Sequence, residues 1–449
     1  MIAEGTTMGA TTYSHKEHAI AIVPFHSSFF ESLHKEQWKE VRLGEAPLQI
    51  IDGDRGKNYP KQKELFDNGY CLFLNTKNVL NAKFDFTECQ FINKEKDESL
   101  RKGKMQINDI VLTTRGTIGN MALYRENINY KNIRINSGMV ILRPDTMEVN
   151  STFLLYAMLN SKKYIDNFVS GSAQPQLPIK DLSNLTISLP SLETQRKVAE
   201  ILSSFDDKID LLHRQNKTLE SLALTLFRHT FIDNPNRNEW EESKIGDYVE
   251  CVNGYSYKSS ELDKSNIALV TLKNFARDGS FNLNGFKEFI GTKFKDSQIV
   301  KNGDLVVAHT DITQEAEIIG NPALIIDIGK YKKLIITMDL VKVEPKIEWI
   351  SKEFLYYLFK TQDFKSHCLG NSNGTTVLHM NRKTILEYTT KIPNPKAIME
   401  FTKNVSYFFG KTCNNLLQIQ SLQSMRDMLL SKILNEKMEV LSGRICEEW

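Results

Sequence analysis

The stretch that decides the architecture is Val198-Ala199-Glu200-Ile201-Leu202-Ser203-Ser204-Phe205-Asp206-Asp207-Lys208-Ile209-Asp210-Leu211-Leu212-His213-Arg214-Gln215-Asn216, running on to Phe227. Within it Val198, Leu202, Phe205, Ile209, Leu212, Asn216, Leu219, Ala223 and Leu226 step by four, three, four, three without a break. Such spacing predicts a helix with one apolar seam, the pattern of a coiled coil. Asn216 is the only polar residue on the seam, and a single buried amide there fixes register at some cost in stability. A helix of about forty residues spans ~60 Å and cannot bury its own seam, so the stretch calls for a partner.

The partner comes from an internal repeat. Trp38-Lys-Glu-Val-Arg-Leu-Gly44 resembles Trp240-Glu-Glu-Ser-Lys-Ile-Gly246 at an offset of 202. Phe153-Leu-Leu-Tyr156 resembles Phe354-Leu-Tyr-Tyr357 at 201, and Asn108-Asp109-Ile110-Val111 resembles Gly303-Asp304-Leu305-Val306 at 195. Gly171 to Pro190 lies on Gly374 to Pro393 at 203. The same shift turns the first seam into Phe401, Val405, Phe408, Thr412, Asn415, Ile419, Leu422, Arg426 and Leu429, weaker but in phase. Each copy reads as strand-like runs and a short helix followed by one long helix. The expected fold class is therefore α+β, with two similar globular segments joined by two long helices pairing as an antiparallel coiled coil. A helical bundle core within one domain is the alternative use of the same heptads.

Turn chemistry at Asn234-Pro235-Asn236 separates the first helix from the second copy. The expected layout is an N-terminal extension over 1–37, a first globular segment over 38–190, a central helix over 191–235, a second globular segment over 240–393, a C-terminal helix over 394–435 and a tail over 436–449.

A length of 449 residues suits two domains with connecting elements. Hydrophobic residues at 41% and charged residues at 25% exclude a collagenous or wholly disordered chain. No apolar run approaches the 18 residues of a membrane span, so no membrane association is expected. Six scattered cysteines without a CxxC pair fit a reducing cytoplasm. Lys and Arg number 57 against 55 Asp and Glu, so nucleic-acid binding would have to come from charge placement. Residues 38–190 carry 21 basic against 17 acidic side chains, residues 240–393 carry 20 against 20, and residues 191–235 carry 6 against 7. With that balance the chain alone would bind DNA modestly, because affinity from counterion release scales with the phosphates neutralised.

Phosphate-loop, dinucleotide, zinc-protease and nucleophile-elbow motifs are absent. The Asn-Pro pairs at Asn234, Asn321 and Asn394 lack the Pro-aromatic continuation of amino-methyltransferases. His15 and His18 have no second ligand pair for a tetrahedral metal site, and neither a catalytic nor a metal site is expected.

Gly-punctuated loops in both copies mix basic, amide, hydroxyl and aromatic residues. Arg and Lys suit phosphate and guanine, Asn and Gln suit adenine, and Gly permits close backbone approach. The candidate DNA contacts in the first copy are Arg55, Lys57, Tyr59, Thr114, Arg115, Gln174 and Gln176. In the second copy they are Tyr255, Tyr257, Lys258, His309, Thr310, Asn373 and Thr376. Loops of any soluble protein are rich in these residue types, so composition alone does not single them out.

Leu189-Pro-Ser-Leu-Glu-Thr-Gln-Arg-Lys-Val-Ala-Glu-Ile-Leu-Ser-Ser-Phe-Asp-Asp-Lys-Ile-Asp210, continuing through Gln215-Asn-Lys-Thr-Leu-Glu220 to Leu226-Phe227, resembles the helix after each target-recognition domain in the specificity (S) subunits of type I restriction-modification systems. Arg115-Gly-Thr-Ile-Gly119, Gln174-Pro-Gln-Leu-Pro-Ile-Lys-Asp-Leu182 and Thr310-Asp-Ile-Thr-Gln-Glu-Ala-Glu317 extend the resemblance to about 38–435. The second helix departs from the pattern: Ile392-Pro-Asn-Pro-Lys-Ala-Ile-Met399 lacks the Glu193-x-Gln195 of the first.

The resemblance implies a noncatalytic DNA-specificity subunit. Each globular segment would be a target-recognition domain reading one half of a bipartite, gapped double-stranded DNA sequence, and the helices would set the gap. Two methyltransferase (M) subunits using S-adenosylmethionine would dock on the helices, and ATP- and Mg-dependent restriction (R) subunits would complete a nuclease. No cofactor is expected in this chain itself. A coiled-coil scaffold with two protein-binding heads and no DNA role is the rival reading. A self-contained modification enzyme would need a cofactor motif that the sequence lacks.

Overall fold

The computed structural model describes residues 36–170, 175–275, 281–311, 316–327, 329–374 and 377–441. The chain divides into two compact units, one of residues 1–204 with 426–449 and one of residues 205–425, so each long helix contributes to both.

In the first unit, β1 (Lys39–Arg42) pairs antiparallel with β9 (Thr186–Leu189), joining the two ends of the globular segment. Between them β2 (Leu48–Asp52), β8 (Met139–Pro144), β5 (Ile110–Thr113) and β6 (Met121–Leu123) form an antiparallel sheet in the order β2-β8-β5-β6. A second sheet has the order β4-β3-β7, from β4 (Phe91–Ile92), β3 (Cys71–Leu74) and β7 (Ile133–Ile135), with β3 and β7 parallel. Every residue of β3, β5 and β6 is buried, which explains why these strands read as short apolar runs without alternation.

The second unit repeats the plan. β10 (Glu241–Lys244) pairs with β22 (Thr389–Ile392). β11 (Val249–Asn253), β19 (Leu340–Pro345), β15 (Leu305–Ala308) and β17 (Pro322–Leu324) form one sheet in the order β11-β19-β15-β17. β13 (Lys287–Glu288), β12 (Ile267–Val270), β18 (Lys333–Ile336) and β14 (Ile299–Val300) form another, in which β12 and β18 are parallel like β3 and β7. A small third sheet, β16 (Thr310–Asp311), β21 (Leu378–Met380) and β20 (Ser372–Asn373), runs in the order β16-β21-β20.

The turn into β5 and β15 shows why the repeat survives in sequence. Asn108 has φ +76° and Gly303 φ +81°, a left-handed conformation that glycine and asparagine tolerate best. The next residue in each copy is a buried Asp that caps its own turn: Asp109 accepts from Gln106 N at 2.7 Å and Asp304 from Lys301 N at 3.0 Å. Burying these carboxylates requires a cation. Arg143 supplies it at 2.7 Å in one copy, and Lys352 at 2.6 Å with Lys342 at 3.4 Å in the other. Desolvation pushes the Asp304 carboxyl up, but the Lys352 bond, the Lys301 N–H and the charges of Lys352 and Lys342 together outweigh it and hold the carboxyl below its ordinary range.

Four helices position these sheets. α1 (Ser151–Asn160), capped by Asn150, and α3 (Lys352–Phe359), capped by Ser351, cover the antiparallel sheets. α2 (Leu192–Phe227) and α4 (Pro395–Leu441) are the long helices. In the first unit Val198 and Leu202 of α2 pack with Ile433 and Leu434 of α4, beside Trp38, Phe153 and Tyr156. In the second unit Ile209 and Leu212 pack with Ile419 and Leu422, flanked by Phe205. Toward the end of α2, Ala223 and Phe227 meet Phe401 and Val405. Within the second unit rising numbers on one helix meet falling numbers on the other, so the pairing there is antiparallel.

All the seam positions Val198, Leu202, Phe205, Ile209, Leu212, Asn216, Leu219, Leu226, Phe401, Val405, Phe408, Ile419, Leu422 and Leu429 are buried or half-buried. Leu219 and Leu226 are half-buried, and Phe227 takes the fully buried place at the helix end, with Phe231, Phe354, Tyr357 and Phe401 around its ring.

Among the described residues no helix is long and apolar enough to cross a membrane, and no His, Cys, Asp and Glu cluster could hold a metal. His15 and His18 lie outside the described residues.

Candidate nucleic-acid interface

In the first unit the candidate loops converge on the three-residue turn Asn136-Ser137-Gly138 between β7 and β8. Asn136 Oδ1 accepts from Gly138 N at 2.8 Å and shapes the turn. Arg55, exposed after β2, donates through Nη2 to Asp52 Oδ1 at 3.2 Å and to Ser137 O at 3.4 Å. Tyr59 is half-buried, its ring edge-on to Phe73 and its hydroxyl accepting from Ser137 N at 3.5 Å. From the other side Gly138 O accepts from Thr114 N at 2.8 Å and Arg115 N at 3.2 Å. One turn therefore holds loops that lie sixty residues apart in sequence.

Arg115 is exposed and donates through Nη2 to Gln176 Oε1 at 3.1 Å. Their backbones form an antiparallel bridge, and Leu177 N donates to Thr114 O at 2.9 Å. Gln176 and Ser170 exchange two backbone hydrogen bonds at 2.9 Å, closing the loop that carries Gln176. Thr117 Oγ1 donates to Thr76 O at 3.2 Å, which brings Thr76 and exposed Lys77 to the same edge. Lys57 is exposed, whereas Thr114 is only 3% exposed and contributes its backbone. Gly119, at φ +81°, is a turn glycine before β6. Gln174 lies outside the described residues.

In the second unit the turn Thr337-Met338-Asp339 occupies the corresponding place between β18 and β19. Tyr255 N donates to Ile336 O and Met338 N to Tyr255 O, both at 2.8 Å, while His309 N donates to Asp339 O at 3.0 Å. The Tyr255 hydroxyl donates to Glu261 Oε1 at 2.9 Å, and this bond to a carboxylate raises the tyrosine's pKa. Tyr257 accepts from Lys287 Nζ at 2.8 Å, with that ammonium 5.2 Å from the ring centre. Lys258 and Asn373 are exposed. Thr310 is 4% exposed, with its Oγ1 3.3 Å from His379 Nδ1. The His309 ring bonds through Nε2 to Met338 O, and burial pushes its pKa below the ordinary histidine value. Thr376 lies outside the described residues.

Asn136, Ser137, Gly138, Thr76, Lys77, Met338 and His379 sit among these loops without having been singled out from sequence. The first three carry ordinary turn chemistry, which marks a loop and not its neighbours. His379 lies in a strand pattern, where a polar residue reads as a solvent-facing position. The repeat is the one signal that reaches it, since Gln176 plus the offset of 203 is His379.

The anchoring of α2 explains the Glu-x-Gln stretch. Gln195 is 1% exposed: its Oε1 accepts from Asn150 N at 2.8 Å, and its Nε2 donates to Pro190 O at 3.0 Å and Glu148 O at 3.1 Å. The amide fastens the start of the long helix to the cap of α1. In the second copy the corresponding residue is buried Ile398, and Ser351 Oγ meets Thr402 Oγ1 at 2.7 Å instead. The departure seen in the second helix replaces a polar clasp with an apolar contact and a hydroxyl pair.

Comparisons with known proteins agree with this architecture. Residues 35–221 match the family described as the type I restriction modification DNA specificity domain. The type I restriction enzyme HindI specificity subunit of Haemophilus influenzae is 23% identical, over 89% of this chain and 99% of that one. The MjaIX specificity subunit of Methanocaldococcus jannaschii is 24% identical, over 74% of this chain and 78% of that one. The crystal structure of the type I restriction-modification S subunit from M. genitalium shares the fold at a TM-score of 0.54 and 17% identity, covering 89% of this chain and 96% of that one. The domain matched over residues 35–221, the relatives and the duplicated fold all make this chain similar to the specificity subunits of type I restriction-modification systems.

Proposed function

We propose that this chain is the noncatalytic subunit that gives a type I restriction-modification enzyme its DNA sequence. Each globular segment, 38–190 and 240–393, reads one half of a bipartite target in double-stranded DNA, and the paired helices set the number of base pairs between the halves. Two methyltransferase subunits dock on the helices and supply S-adenosylmethionine chemistry. Where the system also cuts DNA, restriction subunits supply ATP- and Mg-dependent cleavage.

The observation that carries the reading is one loop scaffold built twice with different side chains on it. Arg115 and Gln176 stand on it in the first unit, Thr310 and His379 in the second. A duplicated frame with exchanged side chains is what two half-site readers require, because phosphate contacts position a protein and base contacts specify the sequence. Arg55, Lys57, Tyr59, Arg115 and Gln176 are the proposed contacts of the first domain; Tyr255, Tyr257, Lys258 and Asn373 are those of the second. Thr114, His309 and Thr310 support the loops from beneath.

The test is sequencing of methylated adenines in host DNA with and without this gene, then after exchanging residues 38–190 for a relative's domain. Loss of one gapped two-part motif on deletion, with one half altered by the exchange, is expected. Survival of every motif after deletion would favour a scaffold without a DNA role.

A further inference from the structure

The two loop scaffolds correspond bond for bond. Thr114 N to Gly138 O at 2.8 Å matches His309 N to Asp339 O at 3.0 Å, and Leu177 N to Thr114 O at 2.9 Å matches Met380 N to His309 O at 2.8 Å. The bridge between Arg115 and Gln176 matches the pairing of Thr310 with His379, and the bridge between Ser170 and Gln176 matches that of Asn373 with His379. Even the side-chain contact is kept, at 3.1 Å from Arg115 to Gln176 and at 3.3 Å from Thr310 to His379. His379 therefore stands where Gln176 stands.

The division of labour differs. In the first unit Arg115 and Gln176 are both exposed. In the second, Thr310 is buried and only His379 is exposed, so the outward chemistry at this place falls to the imidazole. With the threonine hydroxyl as donor to Nδ1, the imidazole presents an N–H at Nε2, and Nε2 has no protein partner among the described residues. An outward N–H donor meets acceptors in the major groove, and guanine offers two, N7 and O6, where cytosine offers a competing donor.

Resting on the functional reading above, we propose that His379 is a base-reading residue of the second domain, directed at an acceptor-bearing base edge, guanine above all. Thr310 is its positioning residue.

The experiment uses the full chain assembled with its partner methyltransferase subunits, selecting bound duplexes from a randomised pool. The unaltered complex must return a two-part motif; failure to do so overturns the functional reading, whatever His379 does. With that motif in hand, His379→Ala is expected to relax one position in one half-site, lowering the preference there on the order of tenfold, while the other half stays unchanged. Thr310→Val should relax the same position by less. An unchanged motif with His379→Ala overturns the proposal. If that variant binds no DNA, His379→Gln decides: a changed base at one position supports base reading, and an unchanged motif overturns it. Loss of binding in both variants with an unaltered melting temperature also overturns it, because His379 would then hold the whole interface and not one base.

Discussion

Asn415 Nδ2 donates to Asn216 Oδ1 at 2.7 Å, joining the two long helices through an amide pair of which Asn415 is buried and Asn216 half-buried, and a second bond reaches Gln215 Oε1 at 3.0 Å. The repeat makes this contact one-sided. A shift of 203 places Asn415 on Leu212 and Asn216 on Ile419, so the repeat-equivalent contact is the buried apolar pair Leu212 and Ile419. Pairing of the first helix with a second copy of itself would set Asn216 against Leu212 and strand the amide. The seam therefore favours the intramolecular partner, the best-attested use of a lone polar layer in a coiled coil.

Replacing one member of this pair should cost more than replacing both. Asn415→Leu leaves the Asn216 carbonyl without its donor in the seam and should lower stability by roughly 1 to 3 kcal/mol. The double variant with Asn216→Leu should regain most of that loss while gaining self-association. Urea unfolding of the three variants, with light scattering for oligomeric state, checks both halves of the expectation. A double variant as unstable as the single one would show that the pair acts through something other than amide desolvation.

The helices were legible because their physics is local. A 4-3 spacing forces one face inward whatever the partner, and the offset of the second seam named the partner. The loops were not legible in the same way. Thr114 and Thr310 read from sequence as loop residues open to DNA, yet one follows the buried strand β5 and the other begins β16, so both point inward. Asn136-Ser137-Gly138 carries no signal beyond a turn, and its importance comes from Arg55, Tyr59 and Arg115 meeting there across the fold. Gln195, prominent as a motif residue, is a buried clasp.

Gln195→Ala should act on stability and leave DNA reading alone. It removes three hydrogen bonds and leaves Asn150 N–H, Glu148 C=O and Pro190 C=O without the partner they have now. A loss of about 2 to 4 kcal/mol is expected, since buried polar groups left unpaired cost more than the bonds themselves. Gln195→Leu, close in volume, should be nearly as damaging, which separates hydrogen bonding from packing. Urea midpoints of the full chain give the answer, and a harmless Gln195→Leu would reassign the residue to packing.

Arg115 and Lys57 should fail in different ways. Arg115 is held by the Gly138 carbonyl and by Gln176, the kind of fixed geometry that reads a base. Arg115→Ala is expected to weaken binding at the first half-site by roughly 1 to 3 kcal/mol and to relax one base there. Lys57, exposed on a loop, suits a phosphate; Lys57→Ala should weaken all sequences alike and reduce the salt slope by about one. Titrations at several salt concentrations against the cognate site and single-base variants separate the two. Sequence-independent weakening in Arg115→Ala would move that residue to the phosphate class.

The support beneath the second interface should be acid-sensitive through His309. Burial disfavours its charged form, outweighing the bond to Met338 O and the nearby Asp339 carboxylate, and adjacent His379 adds to the depression. Its Nδ1 is buried without a hydrogen-bond partner among the described residues, so a proton added there would find no acceptor. The unfolded chain binds that proton near the ordinary value of about 6.5, while the folded chain resists until lower pH. Between those two values the unfolded state holds more protons, so stability rises with pH. The contribution is complete above about 6.5 and is lost as pH falls from there through the depressed folded value. His309→Gln removes the titration while keeping an amide able to donate to Met338 O. The melting-temperature advantage of the natural chain over this variant should shrink from pH 7.5 to pH 5.5, whereas an advantage independent of pH would mean that the neutral ring is not what His309 contributes.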